Sequence, residues 1–304
     1  MEYIMQTNCL SKRYFRYQAL EDVSMHVPKG SIYGFVGRNG AGKTTLIRII
    51  CGLQTPTKGE FSLYGIPHND HAIVKARRRI GAVVETPSIY TDMTAEDNLK
   101  MQYRILGMPS YEGIPELLKL VGLADTGKKH AGNFSLGMRQ RLGIAIALCG
   151  NPDFLVLDEP INGLDPQGIV EIRELILKLN REKLITVMIS SHILDELSRL
   201  ATHYGFIDKG RIVQEISAEE LEQAFRKRVR VEVSDTKLLA QTLDDIGLAY
   251  EIVDEHFADI FAKVNITQLS NALFTKQCEI LSVTEKDESL ESYFMNLVGG
   301  GKHD

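Results

Sequence analysis

The chain has 304 residues, of which 44% are hydrophobic and 25% charged, and its formal net charge is −5 at pH 7. This composition is typical of an ordinary globular protein with about two domains. Dedicated nucleic-acid binders are usually basic, so the weak negative charge argues against a nucleic-acid partner.

The first part of the chain alternates strands and helices. Strands are predicted at about 3–9, 19–27 and 31–36, and "TTLIRII" is then a helix after a glycine-rich segment. "RIGAVVE" is a further strand, and Thr94 to Asp97 is a capping box that opens a helix reaching about residue 106. The segments "DFLVLDE", "PQGIVEIRELILKLN" and "LITVMIS" follow as strand, helix and strand. This order predicts a parallel sheet covered by helices on both faces.

The sequence pattern changes near residues 217–230. The predicted elements beyond it follow the order β-α-β-β-α-β, which indicates a small split-βαβ domain. We therefore expect a large first domain, a small α+β accessory domain and a disordered tail, at 1–225, 226–298 and 299–304. The predicted elements of the accessory domain are strands at 228–233, 248–253, 257–264 and 278–284 and helices at 236–246, 266–275 and 287–297.

The cysteines and the apolar segments of the sequence indicate the cellular compartment of the protein. Cys9, Cys51, Cys149 and Cys278 are widely spaced, which predicts reduced thiols in a cytosolic protein. The chain contains no apolar run near the ~18 residues that cross a bilayer. The first residues, "MEYIMQTNCL", lack the basic start and long apolar core of a signal peptide. We expect a cytosolic protein, which a partner could hold at a membrane.

The segment "GRNGAGKT" (37–44) fits G-x-x-x-x-G-K-[ST]. Its glycines let successive backbone N–H groups point at phosphate oxygens, Lys43 reaches the β- and γ-phosphates, and the Thr44 hydroxyl binds Mg²⁺. A strand precedes the segment and a helix follows it, which is the context that the motif requires. Nucleotide binding is therefore predicted.

Two acids and a histidine end the later strands. Asp158 closes the apolar strand "FLVLD", where a carboxylate can hold the Mg²⁺ of a phosphate-loop enzyme. Glu159 follows and is placed to orient or deprotonate the attacking water. His192 follows "LITVMISS" and can reach the γ-phosphate, although a lone histidine at a strand end is often structural.

Glu85 ends the apolar run of "AVVETPSIY", two residues before Pro87. A carboxylate at the end of a buried strand is costly unless something pairs with it. A second segment, "NFSLGMRQ" (133–140), predicts a helix that begins after Ser135 as its N-cap.

These residues resemble the ATP-binding subunit of an ABC transporter over about residues 3–220. In the resemblance, 37–44 corresponds to Walker A, 154–158 to Walker B, Glu159 to the catalytic glutamate, "SLGMRQ" to the signature motif, "NGLDP" (162–166) to the D-loop and His192 to the switch histidine.

The resemblance implies an α/β P-loop NTPase of the ABC type, with a parallel-sheet core, an antiparallel β subdomain and a helical subdomain, followed by the accessory domain. It implies ATP and Mg²⁺ as cofactors. The implied catalytic residues are Glu159 and His192; the implied metal ligands are Thr44, Glu85 and Asp158; the implied nucleotide contacts are Tyr14 (or its neighbour Tyr17) against adenine, Gly37, Asn39, Gly40, Gly42, Lys43, Thr44, Thr45, Ser135, Gly137, Gln140 and Asp165.

The chain departs from the family pattern at two places. Leu136 replaces a common glycine in the signature, where Arg139 leads a basic patch with Arg141. Glu85 stands where the family usually has glutamine, as in a subgroup resembling bacitracin-resistance and lantibiotic-immunity exporters. There we expect Glu85 to meet Mg²⁺ and to tune the coupling of hydrolysis to transport.

The resemblance also implies partners. Two copies would pack head to tail around ATP, and a membrane permease would dock near residues 85–98 at the inner face of the cell membrane. The expected function is to power export of peptide antibiotics or similar amphiphiles. The alternatives are a soluble ABC ATPase without a permease, an exporter subunit for an unrelated cargo, and a regulatory module without turnover.

Overall fold

The computed structural model describes residues 2–224, 228–261, 265–286 and 290–299. The chain divides into two units, Met1–Ala218 and Glu219–Gly299. The domain boundary predicted between residues 225 and 226 falls among residues outside the described ranges and stays a prediction. Residues 300–304 of the predicted disordered tail also lie outside them.

The first unit contains ten strands and seven helices in its described part. The strands are β1 Tyr3–Tyr14, β2 Tyr17–Pro28, β3 Ile32–Gly37, β4 Lys58–Leu63, β5 Ile66–Pro67, β6 Ile80–Val83, β7 Phe154–Asp158, β8 Thr186–Ser191, β9 His203–Asp208 and β10 Arg211–Ser217. The helices are α1 Lys43–Ile50, α2 Ile73–Arg77, α3 Ala95–Leu106, α4 Ile114–Leu120, α5 Leu136–Leu148, α6 Pro166–Lys183 and α7 Leu194–Ser198, with 3₁₀ turns at Ala124–Thr126 and Ala131–Asn133.

A six-stranded sheet forms the centre of this unit, in the order β10-β9-β3-β8-β7-β6. Neighbouring strands are parallel except β10, which runs antiparallel to β9. Every residue of β3, β7 and β8 is buried, as expected for strands covered on both faces. The register pairs Val36 with Ser191 and Asp158 with Ser190, so the carboxyl ends of these strands meet at one edge, where ligands bind in α/β proteins.

The second sheet of this unit is antiparallel, in the order β2-β1-β4-β5. Its first hairpin extends further than the sequence predicted, because pairing continues to Tyr14 and Tyr17 and only two residues form the turn. Phe15 at the turn has φ +47° and is fully exposed. The tip of this hairpin therefore presents aromatic side chains to solvent.

Helices α3, α4 and α5 form the helical part of the unit, and both predicted N-caps are confirmed. The Thr94 hydroxyl accepts a hydrogen bond from the Asp97 N–H at 3.1 Å, and that hydroxyl donates to the Asp97 carboxylate at 2.7 Å. The Ser135 hydroxyl accepts from the Met138 N–H at 3.2 Å. Such caps satisfy N–H groups that the first helical turn leaves without a partner.

The second unit has the predicted β-α-β-β-α-β order with an antiparallel sheet of order β12-β13-β11-β14. Val231, Val233, Leu239, Leu243 and Leu273 are fully buried in its core. Its elements, together with α8, which includes the unit boundary, are α8 Ala218–Ala224, β11 Arg228–Val233, α9 Thr236–Asp245, β12 Tyr250–Ile252, β13 Phe257–Ile260, α10 Ile266–Thr275, β14 Ile280–Lys286 and α11 Leu290–Gly299.

All four cysteines lie in described residues and are free. Burial raises the pKa of the Cys51 and Cys149 thiols to about 12, so both stay protonated at neutral pH. Within the described ranges, no helix combines the length and apolar character needed to cross a membrane.

Candidate functional site

The predicted phosphate loop joins β3 to α1. Gly40 and Gly42 have φ +80° and +109°, the left-handed region that glycine adopts without strain. A Cβ on Gly42 would lie 2.7 Å from the Ala19 carbonyl oxygen, so the loop has no room for a side chain there. No side chain caps the start of α1. Its first N–H groups are therefore available to an anion.

Lys43 is buried at the start of α1, with only 5% of its surface exposed. Its ammonium donates to the Gly37 carbonyl at 2.6 Å and to the Arg38 carbonyl at 3.3 Å. It also lies 3.1 Å from Glu159 Oε1. The Lys43 side chain therefore folds back onto the loop that precedes it. Phosphate oxygens of a bound nucleotide would replace the carbonyl oxygens as acceptors of its hydrogen bonds.

Glu159 joins the phosphate loop to His192. The other oxygen of its carboxylate lies 2.8 Å from His192 Nδ1. Glu159 itself has φ +49°, a backbone conformation that is uncommon outside glycine and that clusters at functional sites. The structure therefore brings together Lys43 and both predicted catalytic residues.

Ser190, which no sequence motif singles out, contacts both acids. Its hydroxyl donates to Asp158 Oδ1 at 2.6 Å and accepts from the Glu159 N–H at 2.9 Å. A serine pair at the end of the apolar strand "LITVMISS" was the available signal, because a polar residue there needs a polar neighbour.

Asp158 and Thr44 offer oxygen ligands that fit Mg²⁺. Asp158 is 1% exposed, and its Oδ2 has no hydrogen-bond partner among the described residues. Mg²⁺ binds a carboxylate together with hydroxyl, phosphate and water oxygens rather than an all-protein cage. The described residues contain no group of three or more His, Cys, Asp or Glu that could hold a metal ion.

Glu85 has a partner that the sequence did not suggest. Its carboxylate lies 2.7 Å from the Arg48 guanidinium, which extends from the last turn of α1. The expectation of a buried acid is wrong, since β6 ends at Val83 and the Glu85 side chain is 55% exposed. Its predicted contact with Mg²⁺ stays a prediction.

The two candidate adenine-binding tyrosines have different neighbours. The Tyr14 hydroxyl donates to the Gln54 side chain, and the Lys12 ammonium lies 5.2 Å from the Tyr14 ring centre. The Tyr17 hydroxyl donates to the Gly40 carbonyl at 3.3 Å, so Tyr17 contacts the phosphate loop directly. The other predicted contacts differ in burial, with Asn39 exposed and Thr44 and Thr45 half-buried.

At the start of α5, Ser135 and Leu136 are exposed and Gly137 is half-buried. Gln140 does not share that surface, because α5 buries it to 5% exposure. The predicted basic patch is wrong. Arg139 donates to the Phe134 carbonyl at 2.7 Å, and the Arg141 side chain is only 16% exposed.

Arg141 connects three helices. Its guanidinium donates to the carbonyls of Val121 and Gly122 at 3.1 and 3.0 Å, just after α4, and lies 3.3 Å from Glu171 of α6. Helix α6 begins at the predicted D-loop, where Asp165 is the N-cap and accepts from the Gly168 N–H at 3.1 Å. The signature helix and the D-loop helix of one chain are therefore tied together.

Comparisons with known proteins agree with this geometry. The family model described as ABC transporter matches residues 20–162. The bacitracin transport ATP-binding protein BcrA of Bacillus licheniformis is 41% identical, over 99% of both chains. The lantibiotic transport ATP-binding protein SrtF of Streptococcus pyogenes is 42% identical, over 73% of this chain and 96% of that protein.

Among solved structures, a dimeric ATP-binding cassette in a post-hydrolysis state with ADP and Pi is similar with a TM-score of 0.64 and 26% identity. The match covers 70% of this chain and 98% of that one. The predicted resemblance and fold class are thereby confirmed.

Proposed function

Because the chain belongs to the ATP-binding proteins of ABC transporters, we propose that it hydrolyses ATP to power export of peptide antibiotics or similar amphiphiles. The observation that carries the ATPase part is the contact of Glu159 with Lys43 and His192 beside the phosphate loop. The cargo class rests on relatives whose names state bacitracin and lantibiotic transport.

The chemistry follows from these side chains. ATP phosphates draw Lys43 away from Glu159, and the freed carboxylate orients and deprotonates the attacking water. His192 holds the carboxylate in place and reaches the γ-phosphate. Thr44 and Asp158 would hold Mg²⁺, which would supply charge neutralisation for the phosphates when bound.

A second copy of the chain completes each ATP site. Ser135 and Leu136 are exposed at the start of α5, and an N-terminal helix end suits a phosphate. A solved cassette of similar fold is dimeric. In the proposed head-to-tail dimer, ATP lies between Lys43 of one protomer and Ser135 of its partner.

The permease docks beside the loop that runs from Glu85 to Asn98, which places the protein at the inner face of the membrane. The loop is braced, because the buried Asn98 side chain accepts from the Tyr90 N–H at 2.7 Å and donates to the Tyr90 carbonyl at 3.0 Å.

The second unit is proposed as an accessory domain, at 226–298, with its own core. BcrA of Bacillus licheniformis aligns over nearly the whole chain, whereas SrtF aligns over 73% of it. The accessory domain is thus a feature shared with part of the family, and we assign it no catalytic role.

The Glu159→Gln variant tests the ATPase proposal. It should bind ATP, lose turnover and form a stable dimer with ATP and Mg²⁺, because the water is no longer activated while the phosphate contacts remain. Light scattering that shows only monomer would contradict the role of Glu159. Glu174→Gln, an exposed acid on α6, is the matched control.

Transport is tested separately with the cognate permease in proteoliposomes. Tyr90→Arg, at an exposed aromatic residue of the loop, should abolish ATP-driven export and leave the ATPase activity of the free subunit unchanged. Export that persists in this variant would place the permease elsewhere.

A further inference from the structure

Ser190 lies where the two acids of the site meet. It belongs to β8, is completely buried, and is paired in register with Asp158 on the neighbouring strand β7. Its hydroxyl donates to Asp158 Oδ1 at 2.6 Å and accepts from the Glu159 N–H at 2.9 Å. One hydroxyl therefore acts on both residues at once, as a donor to the first and an acceptor from the second.

The bond to Oδ1 makes the two oxygens of Asp158 different. Oδ1 is occupied, whereas Oδ2 is buried and has no hydrogen-bond partner among the described residues. A buried carboxylate oxygen without a donor is costly. Ser190 thus leaves one oxygen of Asp158 for a hard cation and fixes the rotation of the carboxylate that presents it.

Ser190 also holds the main chain of Glu159. The Glu159 N–H donates to the Ser190 hydroxyl and, at 3.2 Å, to the Ser190 carbonyl. These bonds fasten a residue whose φ of +49° is unfavourable for a side chain. The orientation that they fix directs the Glu159 carboxylate at Lys43 and His192.

The next residue provides an internal comparison. Ser191 is equally buried, but its hydroxyl accepts from the Ile193 N–H at 2.9 Å and its hydrogen bonds involve neither acid. The two serines therefore share chemistry and burial and differ in what they contact.

We propose that Ser190 is a positioning residue of the ATPase site, which turns Asp158 Oδ2 toward Mg²⁺ and fixes Glu159 for its work on water. The inference rests on the proposed ATPase function. It adds a residue whose role is exercised through Asp158 and Glu159 and which itself touches no substrate.

The test measures how much Mg²⁺ strengthens ATP binding, in a background that cannot turn over. In Glu159→Gln protein, the Kd for ATP is measured with Mg²⁺ and with EDTA, and the ratio is compared with that after adding Ser190→Ala. Groups that hydrogen-bond to metal ligands typically change metal affinity by about 10–100-fold when removed, so the ratio should fall by at least about tenfold. Ser191→Ala should leave the ratio unchanged, and Ser190→Thr, which keeps the hydroxyl, should restore it.

Turnover gives a second readout with Glu159 intact. Ser190→Ala should lower kcat and raise the KM for ATP in the presence of Mg²⁺, because the Mg²⁺ contribution to binding is weakened. The Kd for ATP in EDTA should stay within about threefold, because Lys43 and the loop amides still bind the phosphates. Thermal unfolding of each variant checks that the fold is kept.

An unchanged Mg²⁺ ratio and kcat in Ser190→Ala, with wild-type protein active, would overturn the role of Ser190 alone. Equal losses in Ser190→Ala and Ser191→Ala would also overturn it, since general loosening of β8 would then be the cause. Wild-type protein that shows no Mg²⁺-dependent ATP binding would overturn the proposed function, and the role of Ser190 with it.

Discussion

Lys43 Nζ lies 3.1 Å from Glu159 Oε1, so the residue proposed to hold phosphate neutralises the residue proposed to activate water. Both side chains are largely buried, at 6% and 19% exposure, where an ion pair is screened little by solvent. ATP must therefore compete with Glu159 for the ammonium. The competition links nucleotide entry to release of the carboxylate.

This contact predicts that Glu159→Gln raises ATP affinity in the monomer. A neutral amide holds the ammonium less strongly than a carboxylate, so the Kd for ATP without Mg²⁺ should fall by about 3–10-fold, equivalent to about 0.7–1.4 kcal/mol, the net size of one ordinary polar contact. Fluorescent ATP titration at protein concentrations below dimerisation measures it. Glu174→Gln, which removes an exposed charge, is the control and should leave the Kd unchanged. An unchanged Kd in Glu159→Gln would show that Glu159 does not compete with ATP for Lys43.

The Arg48–Glu85 pair predicts a change in coupling without a change in stability. Both side chains are substantially exposed, at 36% and 55%, so breaking the pair should alter the free energy of unfolding by less than about 1 kcal/mol. Arg48 holds the Glu85 carboxylate against α1, and that carboxylate has to leave Arg48 before it can reach a metal. Glu85→Gln should therefore change the amount transported per ATP hydrolysed while ATP binding stays near normal.

Arg48→Gln is the partner experiment for this pair, because it frees the Glu85 carboxylate instead of removing it. The two variants should shift transport per ATP in opposite directions if the ion pair restrains the acid. Identical transport and hydrolysis in both variants and wild type would show that the acid at position 85 has no effect on coupling.

The sequence predicted features that depend on local chemistry. The phosphate loop, the caps at Thr94 and Ser135 and the order of strands and helices follow from residue types at short spacing. The partners of Glu85, Asp158 and Arg141 depend on which distant elements become neighbours, and spacing along the chain does not encode that. Residue types alone group Arg141 with Arg139 as a basic patch. The acceptors of Arg141, the carbonyls of residues 121 and 122, are main-chain groups that a sequence motif does not reveal.

Arg141→Met should destabilise the first unit. The substitution leaves the carbonyls of Val121 and Gly122 without a donor and removes the charge beside Glu171, which together should lower the free energy of unfolding by about 1–3 kcal/mol. Urea denaturation measures it. Arg181→Met, on the exposed face of α6, should change stability by less than about 0.5 kcal/mol.

The same variant tests whether the signature helix depends on that tie. In the Glu159→Gln background, Arg141→Met should weaken the ATP-dependent dimer, because α5 is no longer fastened to α6. A dimer of undiminished affinity in sedimentation experiments would show that the tie contributes to stability alone.

The ion pair between Arg230 and Asp259 predicts how the accessory domain can be destabilised. Their side chains form two parallel bonds, Arg230 Nε to Asp259 Oδ1 at 2.6 Å and Nη2 to Oδ2 at 2.7 Å. The hydrogen bonds to Asp259 raise the pKa of Arg230 above its usual value. The Asp259 side chain is 2% exposed and that of Arg230 is 25% exposed, so Asp259→Ala leaves a partly buried charge without its partner. It should cost about 3 kcal/mol, the lower end for a broken buried pair because Arg230 keeps some solvent contact.

The loss should be confined to the second unit if 226–298 is an independent domain. Calorimetry of Asp259→Ala should then show an early transition of the accessory domain, with the ATPase activity of the first unit retained below it. Lys276→Met removes one side of the Lys276–Asp245 pair, whose side chains are 32% and 70% exposed, and should change neither transition by more than about 1 kcal/mol. A single cooperative transition that carries the ATPase activity down with it would show that the two units unfold as one, and the proposed domain boundary would fail.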